Sequence, residues 1–231
     1  MKNPGISGGF GLDAKIYKDC LPKPAWKVLE KIKGIAAGHE AILAGGTALA
    51  LQIGHRISCD LDFFTKKPLA TDKLISKIGK IAHGDFQVII EEEDTVIFQI
   101  EGVKVSFFQY EHPFLAKKIE YAGVTIAGIL DIASMKVIAI SQRGMKRDFV
   151  DLYFIVQAIP FHLVADYMVK RFGKERISPV HIGKSLVWFA DAESNPDPAY
   201  SQGKEVSWET VKKFFRNHVK QFTIDIETAK S

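Results

Sequence analysis

The sequence predicts an α/β (α+β) protein in which a mixed sheet fills the first part of the chain and helices fill the rest. Residues 41–64, "AILAGGTALALQIGHRISCDLDFF", run in the order short apolar strand, glycine turn, helix, alternating strand. Further on, "FQVIIEEE", "TVIFQIEG" and "VKVSFFQYE" are three β-rich runs separated by short polar turns, as at a mixed or antiparallel sheet edge. From about residue 127, "ILDIASMKVIAISQR", "RDFVDLYFIVQAI", "HLVADYMVKRFG" and "SWETVKKFFRNHVKQF" all show helical spacing with few strand signals between them. The predicted division is therefore residues 1–125 for an α/β domain with an N-terminal arm, and 126–231 for a helical C-terminal domain.

Residues 1–23, rich in Gly, Pro and Lys, read as an irregular arm. "PKPAWKVLEKIKGIAA" then places apolar residues at helical spacing behind Pro24, which suits a first turn and predicts a helix over 24–37. "LATDKLISKIGKIAH" is a second helix ahead of the β-rich runs. In the helical part, Gly144 ends one helix and Asp148 begins the next. "AESNPDPAYSQGKEVS" is a loop by composition, and Ser207 caps the last helix.

With 231 residues, 47% hydrophobic and 25% charged, the chain has the composition of a soluble globular protein with a real core. A net charge of +4 permits an anionic ligand such as a nucleotide or RNA without demanding one. Cys20 and Cys59 are far apart and lack metal-ligand spacing, which predicts a reducing compartment, no disulfide framework and no zinc site. The N-terminus has no apolar segment of signal-peptide length and no run approaches 18 uncharged apolar residues, so the expected location is cytoplasmic, with no membrane partner.

The chemistry concentrates in the opening motif. Gly45 and Gly46, between a strand and a helix, allow a ligand close to the backbone, and the helix N-terminus behind them offers amides and a positive dipole end to phosphate. Thr47 adds a hydroxyl donor. The same pair also serves a plain tight turn. Asp60 and Asp62, at i and i+2 on a strand, project from one face and can share a divalent cation, while Leu61 and Phe63 point into the core. Two carboxylates so placed repel unless a cation lies between them, and Mg²⁺ prefers a few carboxylates together with substrate phosphates.

In order, Gly45-Gly46, thirteen residues, and Asp60-Leu61-Asp62-Phe63 resemble the signature of the polymerase-β-like nucleotidyltransferase superfamily. More narrowly, "GGTALALQIGHRISCDLDFF" with "MKVIAISQRGMKRDFVDLYF" resembles the AbiEii/AbiGii toxin family of bacterial nucleotidyltransferases over residues 40–155. The resemblance implies a polymerase-β-like domain that takes a nucleoside triphosphate (NTP) with Mg²⁺ and transfers NMP to an acceptor hydroxyl. It further implies an RNA acceptor, especially a tRNA 3′ end, and the role of a toxin held in check by an antitoxin partner. Other readings of the same fold are a non-catalytic nucleotide-binding module and a small-molecule nucleotidyltransferase.

Arg56 and Ser58 match the Arg-x-Ser ahead of the acids and suit triphosphate oxygens, although Arg56 also suits pairing with an acid. His55 reads as a surface neighbour. Lys136, Arg143, Lys146, Arg147, Asp148 and Asp151 form a second constellation, in which the resemblance assigns Lys136 to substrate phosphate and Arg147-Asp148 to the active site. Asp148 and Asp151 equally suit an N-cap and a dipole-favoured third position of a helix. Ser106 stands where many such enzymes place a third carboxylate. The replacement is expected from Asp148, kept ionised by Lys146 and Arg147 and serving as general base, or from Asp151; Glu101 and Glu111 are less well placed.

Overall fold

The computed structural model describes residues 15–82 and 85–231, so most of the predicted arm and the helix end at His83 lie outside the described residues. The first helix, α1 (Lys23–Gly38), carries Pro24 in its first turn, where a missing N–H costs no helical bond. It buries Val28, Leu29, Ile32 and Ala36, one stripe at helical spacing. β1 (Ile42–Ala44) then passes directly into α2 (Gly45–Ile53), an abrupt change of direction that Gly45 permits by taking φ +70°. α2 ends at left-handed Gly54, and the chain returns as β2 (Leu61–Thr65), antiparallel to β1.

Beyond α3 (Thr71–Ala82) come β3 (Phe86–Glu91), β4 (Thr95–Ile100) and β5 (Val103–Gln109), the three predicted runs, joined antiparallel in sequence. A hairpin of β6 (Ile119–Tyr121) and β7 (Val124–Ile126) was not anticipated. β5 lies parallel to β2 and β7 parallel to β1, giving one mixed sheet in the order β3-β4-β5-β2-β1-β7-β6.

Strand alternation gives this sheet two unlike faces. Leu61, Phe63, Val105 and Phe107 lie on the face that α1 covers, with α3 over β3 and β4, and Phe63 stacks on Phe107 at 5.1 Å between ring centroids. Asp62, Phe64, Lys104, Ser106 and Phe108 occupy the other face. Their register sets Asp62 directly beside Ser106 and Phe64 beside Phe108.

The helical part comprises α4 (Ile129–Arg143), α5 (Lys146–Ala158), α6 (Phe161–Phe172), α7 (Pro179–Ser185), α8 (Ala190–Glu193) and α9 (Trp208–Lys230). Gly144, at φ +54°, stops α4 and lets α5 set off in a new direction, and Ser207 caps α9 by accepting from the Thr210 amide at 3.2 Å. Phe149 of α5 packs edge-on against Trp208 and Phe215 of α9. The loop between α8 and α9 doubles back to the first half of the chain: the Ile57 amide donates to the Ala199 carbonyl at 2.7 Å, and the Ser201 amide to the His55 carbonyl at 3.1 Å. No single helix among the described residues is long and apolar enough to cross a membrane.

Candidate active site

The first turn of α2, the segment 56–62, one face of β5 and the start of α5 converge with α4 on a cleft of about 260 Å³. Gly45, Gly46, Thr47, Arg56, Ser58, Asp60, Asp62, Lys136 and Asp148 all line it, whereas Asp151, Lys146, Glu101 and Glu111 do not. Phe64, Lys104, Phe108, Met135, Ala139, Arg143 and Arg147 complete the wall. A larger cavity of about 630 Å³ opens between α1, β2 and β7, but its charged residues are Glu40, Lys66, Lys118 and Glu120, with no two carboxylates projecting from one strand. Size does not mark the chemistry here.

The glycine pair works by proximity. A Cβ on Gly45 would lie 3.1 Å from Asp62 Oδ2, so the bare backbone lets the helix start close to that carboxylate. No side chain caps α2, which leaves its first amides facing the cleft with the positive end of the helix dipole. Asp60 stands just before β2 and Asp62 within it. The environment of Asp62 pushes its carboxyl above the usual range, through burial first and the Asp60 charge in addition, with the neighbouring Ser106 hydroxyl, Lys104 and Lys136 pulling the other way. Ser106 lies across the ladder from Asp62, its hydroxyl buried and without a well-aligned hydrogen bond among the described residues. Arg147 reaches to 3.6 Å from Asp60 while remaining half-exposed.

Beneath the cleft lies a buried ionic cluster centred on Asp151. Its carboxylate accepts from Arg56 Nε at 2.7 Å and Nη2 at 3.0 Å, from His55 Nε2 at 2.7 Å, and pairs with Lys136 Nζ at 2.6 Å. Asp148, on the preceding turn of α5, takes Lys136 Nζ at 2.7 Å and Arg143 Nε at 3.1 Å. Burial alone would raise both carboxyls. The cations outweigh it, Arg56 and Lys136 holding Asp151 well below the ordinary range and Lys136 and Arg143 holding Asp148 below it. Burial keeps His55 below its usual value, so the neutral ring donates from Nε2 and leaves Nδ1 buried without a partner.

This cluster corrects several expectations. Arg56 is committed bidentately to Asp151, with Nη1 on the Ile57 carbonyl at 3.2 Å, so its fork is not free for triphosphate. The Thr47 hydroxyl donates to the Asp60 carbonyl and meets Ser58 Oγ at 2.8 Å; both hydroxyls brace the aspartate segment rather than offering donors to a ligand. His55 is buried, not superficial. The cations at Asp148 are Lys136 and Arg143, because Lys146 turns away to Asp197 at 3.1 Å and Arg147 toward Asp60. A carboxylate so paired and so acidic is a poor proton acceptor, which makes Asp148 a positioning residue for Lys136 instead of a general base. Lys104 and Phe108 were missed, though alternation about Ser106 puts all three on one face.

A Cβ on Gly46 would collide with Arg56 Nη2. Gly46→Ala is therefore expected to push the guanidinium off Asp151 and to cost about 1–3 kcal/mol of stability, the usual penalty of overpacking. Chemical denaturation checks this; an unchanged midpoint would show that Arg56 relaxes freely.

The family model described as nucleotidyl transferase AbiEii toxin, type IV toxin–antitoxin system, matches residues 28–226. The chain belongs to that family. It is a nucleotidyltransferase, and its enzyme class implies an NTP substrate. The uncharacterized protein aq_aa25 of Aquifex aeolicus is 37% identical over 206 residues, covering 87% of this chain and 97% of that one. Among solved structures, JHP933 from Helicobacter pylori shares 18% identity and a TM-score of 0.54 over 90% of this chain and 95% of its own. MenT4, a nucleotidyltransferase toxin from Mycobacterium tuberculosis, shares 15% identity and a TM-score of 0.50 over 90% and 94%. These two likenesses show the fold, a mixed sheet with a C-terminal helical region.

The donor set of this AbiEii-family cleft fits Mg²⁺. Asp60 and Asp62 are its only carboxylates without a Lys partner among the described residues, and the burial and the Asp60 charge that raise the Asp62 carboxyl are both effects that a bound cation would offset.

Proposed function

We propose that the chain moves NMP from an NTP to an acceptor hydroxyl of RNA, a tRNA 3′ end in particular. The observation that supports this most directly is the cleft itself, which sets an uncapped helix N-terminus and cationic side chains around two adjacent aspartates. Asp60 and Asp62 would hold Mg²⁺, which when bound supplies positive charge to the phosphate oxygens. The amides of Gly45 and Gly46 receive phosphate oxygens at the head of α2. Lys136 spends two donors on Asp148 and Asp151 and keeps a third for substrate, held in place by the carboxylates behind it. The acceptor oxygen attacks the α-phosphorus and releases its proton to solvent water, the bond to the β-phosphate bridge breaks, and pyrophosphate leaves.

Arg147 is the cation best placed to meet the departing phosphates, since it is exposed at the cleft mouth and carries no buried charge pair. Arg147→Ala is expected to weaken NTP binding about tenfold or more, a charge-assisted contact being worth about 1.5–3 kcal/mol, with no change in unfolding midpoint. Calorimetric titration with a non-hydrolysable NTP reads this, and an unchanged Kd would remove Arg147 from the site. An added NMP would inactivate an RNA end, so the role is that of a toxin restrained by an antitoxin protein, acting in the cytoplasm where NTPs and RNA meet.

The test is incubation with Mg²⁺ and each labelled NTP, with and without total RNA. Label in RNA together with pyrophosphate release supports the reading. Transfer to a small hydroxyl compound alone points to a metabolite or drug acceptor, and NTP binding with no pyrophosphate release points to a non-catalytic module; either result overturns it.

A further inference from the structure

We propose that a second cavity, of about 300 Å³, between the end of α4, α7 and Trp188 is a stacking subsite for an unpaired base of the acceptor strand. The proposal rests on the reading of an RNA acceptor given above and adds the place where the strand is gripped. Trp188 is 61% exposed. The other two tryptophans have internal work: Trp26 Nε1 donates to the Lys18 carbonyl at 3.0 Å and Trp208 Nε1 to Glu193 at 3.1 Å, and both rings pack against aromatic neighbours. Among the described residues the Trp188 indole has neither a hydrogen bond nor an aromatic neighbour. The open indole face is one that a stacked base would cover.

The walls carry the complementary charge. Lys184 and Arg143 line the cavity against one acid, Asp191, and Lys184 makes no ion pair among the described residues. His181 holds α7 to the end of α4 by donating to the Ser141 carbonyl at 3.3 Å, which fixes the two sides of the cavity relative to each other. An aromatic platform flanked by cations binds single strands by base stacking and phosphate pairing, and does so with little regard to sequence. Arg143 ties the cavity to the chemistry, because it also lines the aspartate cleft, where its Nε is bonded to Asp148. A strand stacked at Trp188 can thus place its phosphate at Arg143 and its neighbouring nucleotide in the cleft. A protein partner would be served by Trp188 but has no need of that continuity.

The test measures binding of a labelled single-stranded oligoribonucleotide of about ten nucleotides by fluorescence anisotropy, without NTP. Trp188→Ala is expected to weaken binding roughly tenfold, with Trp188→Phe retaining most of the affinity, since stacking needs only a π-face. Lys184→Ala is expected to lower the slope of log affinity against log salt by about one. Trp188→Ala binding as tightly as the parent overturns the proposal, as does loss in Trp188→Ala of a co-purified protein with oligonucleotide affinity unchanged. The two readings fail separately. Strand binding through Trp188 by a chain that transfers no NMP sinks the transfer reading alone, and RNA transfer by Trp188→Ala with an unaltered KM sinks the subsite alone.

Discussion

Asp151→Ala is expected to cost about 3–5 kcal/mol of folding stability, the range found when one partner is removed from a buried ion pair. The deletion strands Arg56 and His55 without their shared acceptor and leaves Lys136 to Asp148 alone. For most domains that is a large share of the total. Urea unfolding followed by circular dichroism measures it, and a loss under about 1 kcal/mol would show that the cluster relaxes or hydrates on losing its centre. The pH dependence follows from the same geometry. Asp151 and Asp148 titrate lower when folded than when unfolded, so the stability they contribute is complete above the unfolded aspartate value near pH 4 and fades as pH falls toward their folded values. Asp151→Asn should flatten that acid limb.

Asp62→Asn is expected to abolish metal-dependent transfer, by about a thousandfold or more, while leaving the metal-free protein as stable as the parent or more so. Loss of a ligand to the ion that neutralises phosphate charge removes several kcal/mol of transition-state stabilisation, and each 1.36 kcal/mol is a factor of ten. Stability moves the other way because burial raises the Asp62 carboxyl. An acid raised on folding is a burden when ionised, so the metal-free protein loses stability as pH rises through that value, and asparagine of the same shape removes the charge. The rate has the opposite sense: the ionised form holds the cation, so transfer falls as acid protonates Asp62 in competition with the ion. Paired measurements of pyrophosphate release and of unfolding midpoint without metal decide it. Full transfer by Asp62→Asn would sink the metal assignment, and a sharply lowered midpoint would make the carboxylate structural.

The sequence showed what is local. Helical spacing located α1, and the glycine pair and the i, i+2 aspartates located the cleft, because each depends on neighbours within a few residues. It did not show the role of Asp151, whose partners His55 and Arg56 lie 96 and 95 positions away. Spacing on α5 could say only that Asp148 and Asp151 lie near each other at a helix start, which an N-cap explains as well as an ion cluster does. Arg56 was assigned to triphosphate for the same reason: its fork suits either anion, and nothing nearby in the chain names the competitor. The β6–β7 hairpin escaped notice because three-residue strands are too short to show alternation. Its one signal was Ala122-Gly123, both at positive φ, as a two-residue hairpin turn requires.

The loop between α8 and α9 sets the order in which the site can come into being. Through Ala199 and Ser201 it grips the backbone on either side of Arg56, and Tyr200 forms a bridge with Arg56 itself. These contacts join points more than half the chain apart, and pairings across such a span close late in folding. A nascent chain that has emerged only as far as Glu193 already possesses the glycine pair, both aspartates and the lysine, yet lacks the clasp over the arginine. The segment that carries Arg56 is therefore clasped only after the loop through Ser201 has been made.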